Sequence, residues 1–248
     1  MSDKRILGII GGLGPMAGVY LCEQIVLHTK AKRDQDHIDF LLSSRASTPD
    51  RTAFIVGRSD ESPLPALITE AKRLTAAGAE VIAIPCNTSH CFYDTIAKET
   101  DAQTIHMPLE TARFCRHLGL LRVGVLATEG TVRAGIYRTA LESEGIEYMT
   151  CSETEQKFIS ETIYDRVKQG TAPDHERFLE IARGLVAKGC EAILLGCTEL
   201  SCMKRDMDSD VRFIDPLDVL AATSIHLCGG EPFGFEDELL AFLKKKGR

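Results

Sequence analysis

The chain has 248 residues, 44% of them hydrophobic and 26% charged, with a formal net charge of −7. This length suits one large or two ordinary domains, and the composition is that of a core-forming globular chain. The acidic balance counts against a nucleic-acid partner, which rewards clustered Lys and Arg. No apolar run approaches the ~20 residues that span a bilayer, and no secretory leader is legible, so a cytoplasmic location without membrane partners is expected.

From the N-terminus, short apolar runs alternate with amphipathic stretches. A strand is predicted over Arg5–Ile10, a helix over Pro15–Lys32, a strand over Ile38–Ser43 and a helix over Pro63–Ala77. The strand Glu80–Ile84 then leads to a helix over Ser89–Glu99, and the strand Gln103–Met107 to a helix over Leu109–His117. The second half runs Arg122–Ala127 (strand), Thr131–Glu144 (helix), Ile146–Thr150 (strand), then Glu155–Gln169 and Asp174–Lys188 (helices). Strands over Glu191–Leu195 and Val211–Ile214 follow, and a helical tail from Pro216 to Arg248 is expected to fold back on the first half. Continuously apolar runs such as VIAI and AILL suit parallel strands covered on both faces, and strand–helix alternation implies right-handed crossovers in doubly wound sheets.

The two halves resemble each other. GIIGGLGPMAG from Gly8 corresponds to VGVLATEGTVRAG from Val123, and AAGAEVIAIPCNTSH to VAKGCEAILLGCTELS. IHMPLE with Pro108 corresponds to FIDPLDVL with Pro216. These landmarks repeat at nearly constant offset, so an α/β fold is predicted with two similar Rossmann-like lobes, parallel sheets and pseudo-two-fold symmetry. The lobes are drawn as residues 1–107 plus 217–248, and 108–216, with the active site in the cleft between them. Ligands in such folds sit beyond the carboxyl ends of the strands.

Cys86 and Cys197 both occupy that position. There are nine Cys and no CxxC pair, so the default for each is a small buried hydrophobe. Two Cys in Asn/Thr-rich turns at equivalent points of a repeat are hard to explain as packing. A helix N-terminus would lower a thiol pKa and make either reactive. Asn87, Thr88, Thr198 and Glu199 share those turns, as ligand-binding groups or simply as caps. Thr128 and Thr131, in the counterpart of the first glycine loop, carry the same two readings. Arg51 in STPDRTAF suits bidentate grip of a carboxylate, or is a solvated loop residue. Lys168 suits the same grip, or complements a helix dipole. Gly12 and Met16 are placed at the cleft mouth, touching ligand. No zinc spacing is present, and Cys86, His90 and Cys91 do not form one, so no metal is expected.

Gly12-x-Gly14-x-x-Ala17 also matches a dinucleotide fingerprint, with Asp34, Asp36 or Asp39 as the acid about 20 residues on. A nicotinamide-dependent oxidoreductase is therefore one alternative. A two-lobed amino-acid-binding protein without catalysis is another.

With these residues in hand, the chain resembles the aspartate/glutamate racemase family along essentially its whole length. The resemblance rests on GIIGGLGP, STPDRT, PCNTSH, IYDRVKQG, LGCTEL and IDPLDV, in that order. It implies a racemase free of pyridoxal and metal, with no cofactor, in which Cys86 and Cys197 are the acid/base pair acting on a small acidic amino acid. It also implies that Arg51 and Lys168 bind the distal carboxylate, and that Asn87, Thr88, Thr128, Thr198 and Glu199 line the α-amino and α-carboxylate end. A homodimer is expected from the same likeness. The first loop GGLG and the sequence Cys197-Thr198-Glu199 place it nearer the aspartate branch than the cell-wall glutamate enzymes, which carry Asp and His at those points.

Overall fold

The computed structural model describes residues 4–205 and 207–246. Two four-stranded sheets, all parallel, carry the fold. In the first, β1 (Leu7–Gly11), β2 (Phe40–Ser44), β3 (Val81–Ala83) and β4 (Gln103–Thr104) lie in the order β2-β1-β3-β4. In the second, β5 (Arg122–Ala127), β6 (Glu147–Thr150), β7 (Ala192–Gly196) and β8 (Phe213–Ile214) lie in the order β6-β5-β7-β8. The wiring is identical, as the internal repeat predicts.

Helices cover both faces of each sheet, which is why the central strands are apolar without alternation. On the first sheet, Leu7 and Ile9 pack with α1 (Pro15–Leu27) and with Leu217, Leu220, Ala221 and Ile225 of α11 (Pro216–Leu227). Ile10 and Ile82 face α3 (Leu64–Ala76) and α4 (Tyr93–Lys98). On the second sheet, Val123 and Val125 pack with α5 (Met107–His117), α7 (Ile136–Ser143) and α12 (Asp237–Lys246). Leu126 and Ile193 face α8 (Glu153–Glu161) and α9 (His175–Ala187). The boundaries expected at 107/108 and 216/217 fall at the starts of α5 and α11. Val219 and Ala222 of α11 also join the second lobe's cluster, as do Leu239, Phe242 and Leu243 of α12.

Three predicted helices are broken, each for a local reason. Thr131–Glu144 is two helices, α6 (Glu129–Arg133) and α7, because Gly135 between them takes φ 65°. Glu155–Gln169 is α8 followed by a wide π turn, Thr162–Arg166, and a tight 3₁₀ turn, Val167–Gln169. Ser89–Glu99 opens with a 3₁₀ stretch, Thr88–Phe92, before α4. The turn-rich STPDRTAF contains a short helix, α2 (Arg51–Ile55), capped by Asp50 accepting from the Ala53 N–H at 2.6 Å. The remaining helix, α10 (Thr198–Lys204), starts directly after Cys197.

The repeat reaches side-chain level at the central strands. A Cβ on Gly8 of β1 would lie 2.7 Å from Ile82 Cδ1 and 3.1 Å from Leu74 Cβ. A Cβ on Gly124 of β5 would lie 2.7 Å from Ile193 Cδ1 and 3.3 Å from Leu185 Cβ. In both lobes the crossover helix presses onto the first strand where only hydrogen fits. Gly124→Val should therefore cost about 1–3 kcal/mol by overpacking. Gly184→Ala, on α9 with open space around it, should gain about 0.5–1 kcal/mol from helix propensity. Urea denaturation of the two variants checks both signs.

Candidate active site

Cys86 follows β3 and Cys197 follows β7, at equivalent ends of equivalent strands. Each is buried to the same degree, 6% exposed. The phenol of Tyr164 lies within electrostatic reach of both sulfurs, and its pKa is pushed up by burial first and by these neighbours among others. Tyr164 sits in the π turn, and Lys168 in the turn after it stacks its Nζ 4.6 Å from the Tyr164 ring centroid. The broken helix thus brings two polar side chains towards the cysteines, a placement common for π turns.

Around Cys86, Arg51 is 7% exposed and donates to three carbonyls: Leu13 at 2.7 Å, Pro49 at 3.1 Å and Thr48 at 3.3 Å. No carboxylate lies within 4 Å of it among the described residues. Burial works to lower the Arg51 pKa, but hydrogen bonding and charge from Cys86, with Asp50, outweigh it and raise it. Arg51, at the start of α2, is thus a buried cation, and a buried cation needs an anion to offset its desolvation. His90 fixes the Cys86 turn. Its Nε2 accepts from the Met107 N–H at 3.3 Å, so the proton sits on Nδ1, which donates to the Cys86 carbonyl at 2.9 Å. Cys91, next to it, is exposed.

Asn87 accepts a hydrogen bond from buried Tyr137 through its Oδ1, while its Nδ2 is buried without a partner. Among the described residues, five buried side-chain polar atoms lack partners. Three of them, Arg51 Nε, Asn87 Nδ2 and Ser89 Oγ, belong to this cluster. Each orphaned group costs about 1–3 kcal/mol, so their concentration marks a place prepared for hydrogen bonds to something else.

Around Cys197, the thiol donates to Glu199 Oε2 at 2.9 Å. Thr198 Oγ1 reaches the same oxygen at 3.4 Å, and Lys168 Nζ lies 3.6 Å from Oε1. The position before a helix suggests a lowered thiol pKa. The structure reverses that: burial first, then the Glu199 charge, pushes Cys197 well above its usual value. Gly14, in the first lobe's loop, takes φ 122°, and a Cβ there would sit 2.5 Å from Glu199 Oε1. The glycine loop is therefore shaped around the second lobe's carboxylate.

Thr88, Thr128 and Thr131 meet between the lobes. Their hydroxyls form a closed triangle at 2.8, 3.0 and 3.0 Å. Thr128 also caps α6, accepting from the Thr131 N–H at 3.2 Å. Gly12 has a packing reason for its place: at φ 80° a Cβ would lie 2.3 Å from the Arg45 backbone. Met16, on α1, is 69% exposed. Sequence reasoning passed over Tyr137, Tyr164 and Ser89, and met Gly14 only as part of the glycine motif. Tyr164 lies inside IYDRVKQG and Ser89 inside PCNTSH, so the motifs held them without singling them out.

The acids invoked for a dinucleotide, Asp34, Asp36 and Asp39, precede β2, at its amino end. A ribose-binding acid belongs at the carboxyl end, so the fingerprint lacks its second half. Among the described residues no helix is long and apolar enough to cross a membrane.

Burial, then His106, lowers the His90 pKa to about 4. Unfolded, the ring titrates near 6.5. Between these values the unfolded chain holds a proton that the native chain refuses, so His90 makes stability fall as pH drops from ~6.5 to ~4, by about 3 kcal/mol at most. Burial pushes Asp215 the other way, up to about 7, so its contribution has the opposite sign. Urea melts of wild type and His90→Gln at pH 7 and pH 4.5 isolate the His share: the wild type should lose more stability than the variant.

The sequence profile described as Asp/Glu/Hydantoin racemase matches residues 10–223. An aspartate racemase structure from Picrophilus torridus superposes with TM-score 0.82 at 29% identity, covering 95% of this chain and 98% of that one. A structure of an aspartate racemase homologue from Pyrococcus horikoshii gives TM-score 0.74 at 26% identity, over 91% and 99%. The broad specificity amino-acid racemase RacX of Bacillus subtilis is 25% identical over 227 residues, 89% of this chain and 96% of its own.

Proposed function

The chain belongs to the Asp/Glu/hydantoin racemase family, and from that membership and the site we propose that it racemises an acidic amino acid by moving protons between Cys86 and Cys197. The observation that carries this reading is the pair itself: two equally buried sulfurs at matching strand ends of two identically wired sheets. Inversion at a carbon needs a base on one face and an acid on the other. A duplicated unit supplies both from one design.

One sulfur, as thiolate, takes the α-proton. The C–H bond breaks, an S–H bond forms and the electron pair stays on the carbon. The opposite thiol gives its proton to the other face, its S–H bond becoming the new C–H bond. No pyridoxal or metal takes part in the proposed step, so the negative charge that develops towards the α-carboxylate falls to nearby donors. Asn87 Nδ2 and Ser89 Oγ are unpartnered and fixed, and donors fixed before reaction carry no reorganisation cost. General acid/base transfer alone supplies about 10²–10⁴-fold, so this preorganisation has to supply much of the rest. Arg51 is the group for a second carboxylate, because it is a buried cation with Nε free. Lys168 is tied to Glu199, which leaves it to set local charge as well as to meet substrate. A homodimer and a cytoplasmic setting belong to the same proposal.

Incubation with L- or D-aspartate or glutamate in D₂O, with no cofactor added, should yield the opposite enantiomer with deuterium at Cα. Unlabelled product, or an absolute need for pyridoxal phosphate, excludes the two-thiol route. Cys86→Ala and Cys197→Ala should each lower racemisation by at least about 10³-fold, as loss of a group that acts in a unit does. Arg51→Ala should raise KM for dicarboxylic amino acids far more than for neutral ones; equal effects would make Arg51 structural.

A further inference from the structure

Of the five buried side-chain polar atoms without a partner among the described residues, three belong to the cysteine cluster. The other two are Thr104 Oγ1 and Thr223 Oγ1. These residues are 9% and 2% exposed, and both line one cavity of about 450 Å³. No residue of the Cys86 or Cys197 turn lines it. We propose that this cavity is a second ligand site, which takes a small organic molecule carrying an oxyanion head, a phosphate or a carboxylate. Its chemistry is independent of the proton transfer between the sulfurs.

The repeat builds the space twice. β4 and β8 are edge strands of two residues each, and each leaves a hollow beside the helix that follows it. In the second lobe that hollow, about 250 Å³, is lined by Asp215, Asp218 and Glu236 against Lys204. In the first lobe it is lined by Arg113 and Lys246 against Glu110. One backbone design thus carries opposite charge in its two copies. The positive lining beside β4 comes from this sequence, not from the fold.

Donors dominate that lining. Glu110 is held by Arg113 at 3.0 Å and by Lys246, so two cations and one carboxylate leave one positive charge. His106 and His226 add none at neutral pH. Burial lowers both pKa values, and Lys246 adds to the effect on His226. His106 Nδ1 accepts from the Leu109 N–H at 3.1 Å, which leaves its proton on Nε2 as a donor. A Ser or Thr inside a helix can donate to the carbonyl four residues back. Thr111 does so to Met107 at 2.8 Å, and Ser224 to Leu220 at 2.7 Å. Thr223, beside Ser224, does not. Such a set of donors suits a negatively charged acceptor. Ile105, Leu109, Leu227 and Leu243 supply apolar wall, and the volume lies within the range of small-molecule sites, so there is room for a body behind the head.

The walls come from both lobes. β4 and α11 belong to the first, while α5 and α12 pack in the second lobe's cluster. A molecule seated there touches all four elements, and its binding should stabilise the chain against unfolding.

Calorimetric titration of the whole protein at pH 7.5 tests the site, with phenyl phosphate, benzoate and, as the uncharged control, benzyl alcohol. At least one anion should bind with Kd below about 1 mM, at least about tenfold tighter than benzyl alcohol. Arg113→Met and Thr223→Val should each weaken that anion about tenfold, the scale of one hydrogen bond to a charged group. Thr223→Val removes an orphaned oxygen at nearly constant volume, so urea stability without ligand should not fall. Binding of phenyl phosphate alone identifies a phosphorylated ligand, and binding of benzoate alone a carboxylic acid. The proposal is overturned if neither anion binds, if benzyl alcohol matches them, or if Thr223→Val destabilises the free protein. An affinity unmoved in either variant also overturns it, and places the anion among the cysteines instead. The wild-type comparison needs no variant, so a variant that fails to fold leaves it decisive.

Discussion

Thr88 leaves the first sheet, Thr128 and Thr131 leave the second, and their three hydroxyls bond one another in the seam between. Each hydroxyl is buried and so needs a partner to avoid the cost of desolvation, and Thr88 finds both of its partners in the opposite lobe. That requirement holds the two lobes in register. The turns bearing Cys86 and Cys197, the glycine loop against Glu199 and the π turn with Tyr164 are all placed relative to it. Packing of α2 on α6 supports the same register, and the Cys86 turn is tied to the second lobe by the hydroxyl triangle together with the hydrogen bond from Tyr137 to Asn87.

The sheets were legible from the sequence because parallel strands buried on both faces leave a simple trace, four or five apolar residues without alternation. The repeat was legible for a related reason: the same close approach of crossover helix to first strand demands Gly8 in one half and Gly124 in the other. Both candidate cysteines, and most residues around them, were readable as strand-end turns. What escaped was whatever depends on contacts between segments distant in sequence. Nothing local marks the π turn that re-aims Tyr164 and Lys168. Nothing local shows that the Cys197 thiol faces a carboxylate rather than a helix dipole, and there the helix argument points in the wrong direction. Arg51 looked like a loop residue because its burial is created by Leu13, 38 residues earlier. Met16, placed at the cleft mouth by its position in the glycine motif, is 69% exposed on α1.

The site carries its polar cost unevenly. The Thr seam is fully satisfied, whereas Arg51, Asn87 and Ser89 each hold back one buried polar atom. Stability would favour pairing them, and sites that exchange stability for readiness look like this. Asn87 shows the compromise within one side chain: Oδ1 is spent on Tyr137 to fix the amide plane, and Nδ2 is kept open.

The path of α11 has a consequence for synthesis. Leu217, Leu220, Ala221, Ile225 and Cys228 are part of the core formed by Leu7, Ile9, Tyr20 and Ile25. A nascent chain that has completed β1 to β4 therefore still lacks one wall of that lobe, and must wait for the whole second lobe to leave the ribosome before covering it. The second sheet, from β5 to β8, emerges without such an interruption. Translation leaves that face of the first sheet without α11 while residues 105–215 are made, and that interval, rather than the finished fold, is when this chain has most need of a chaperone.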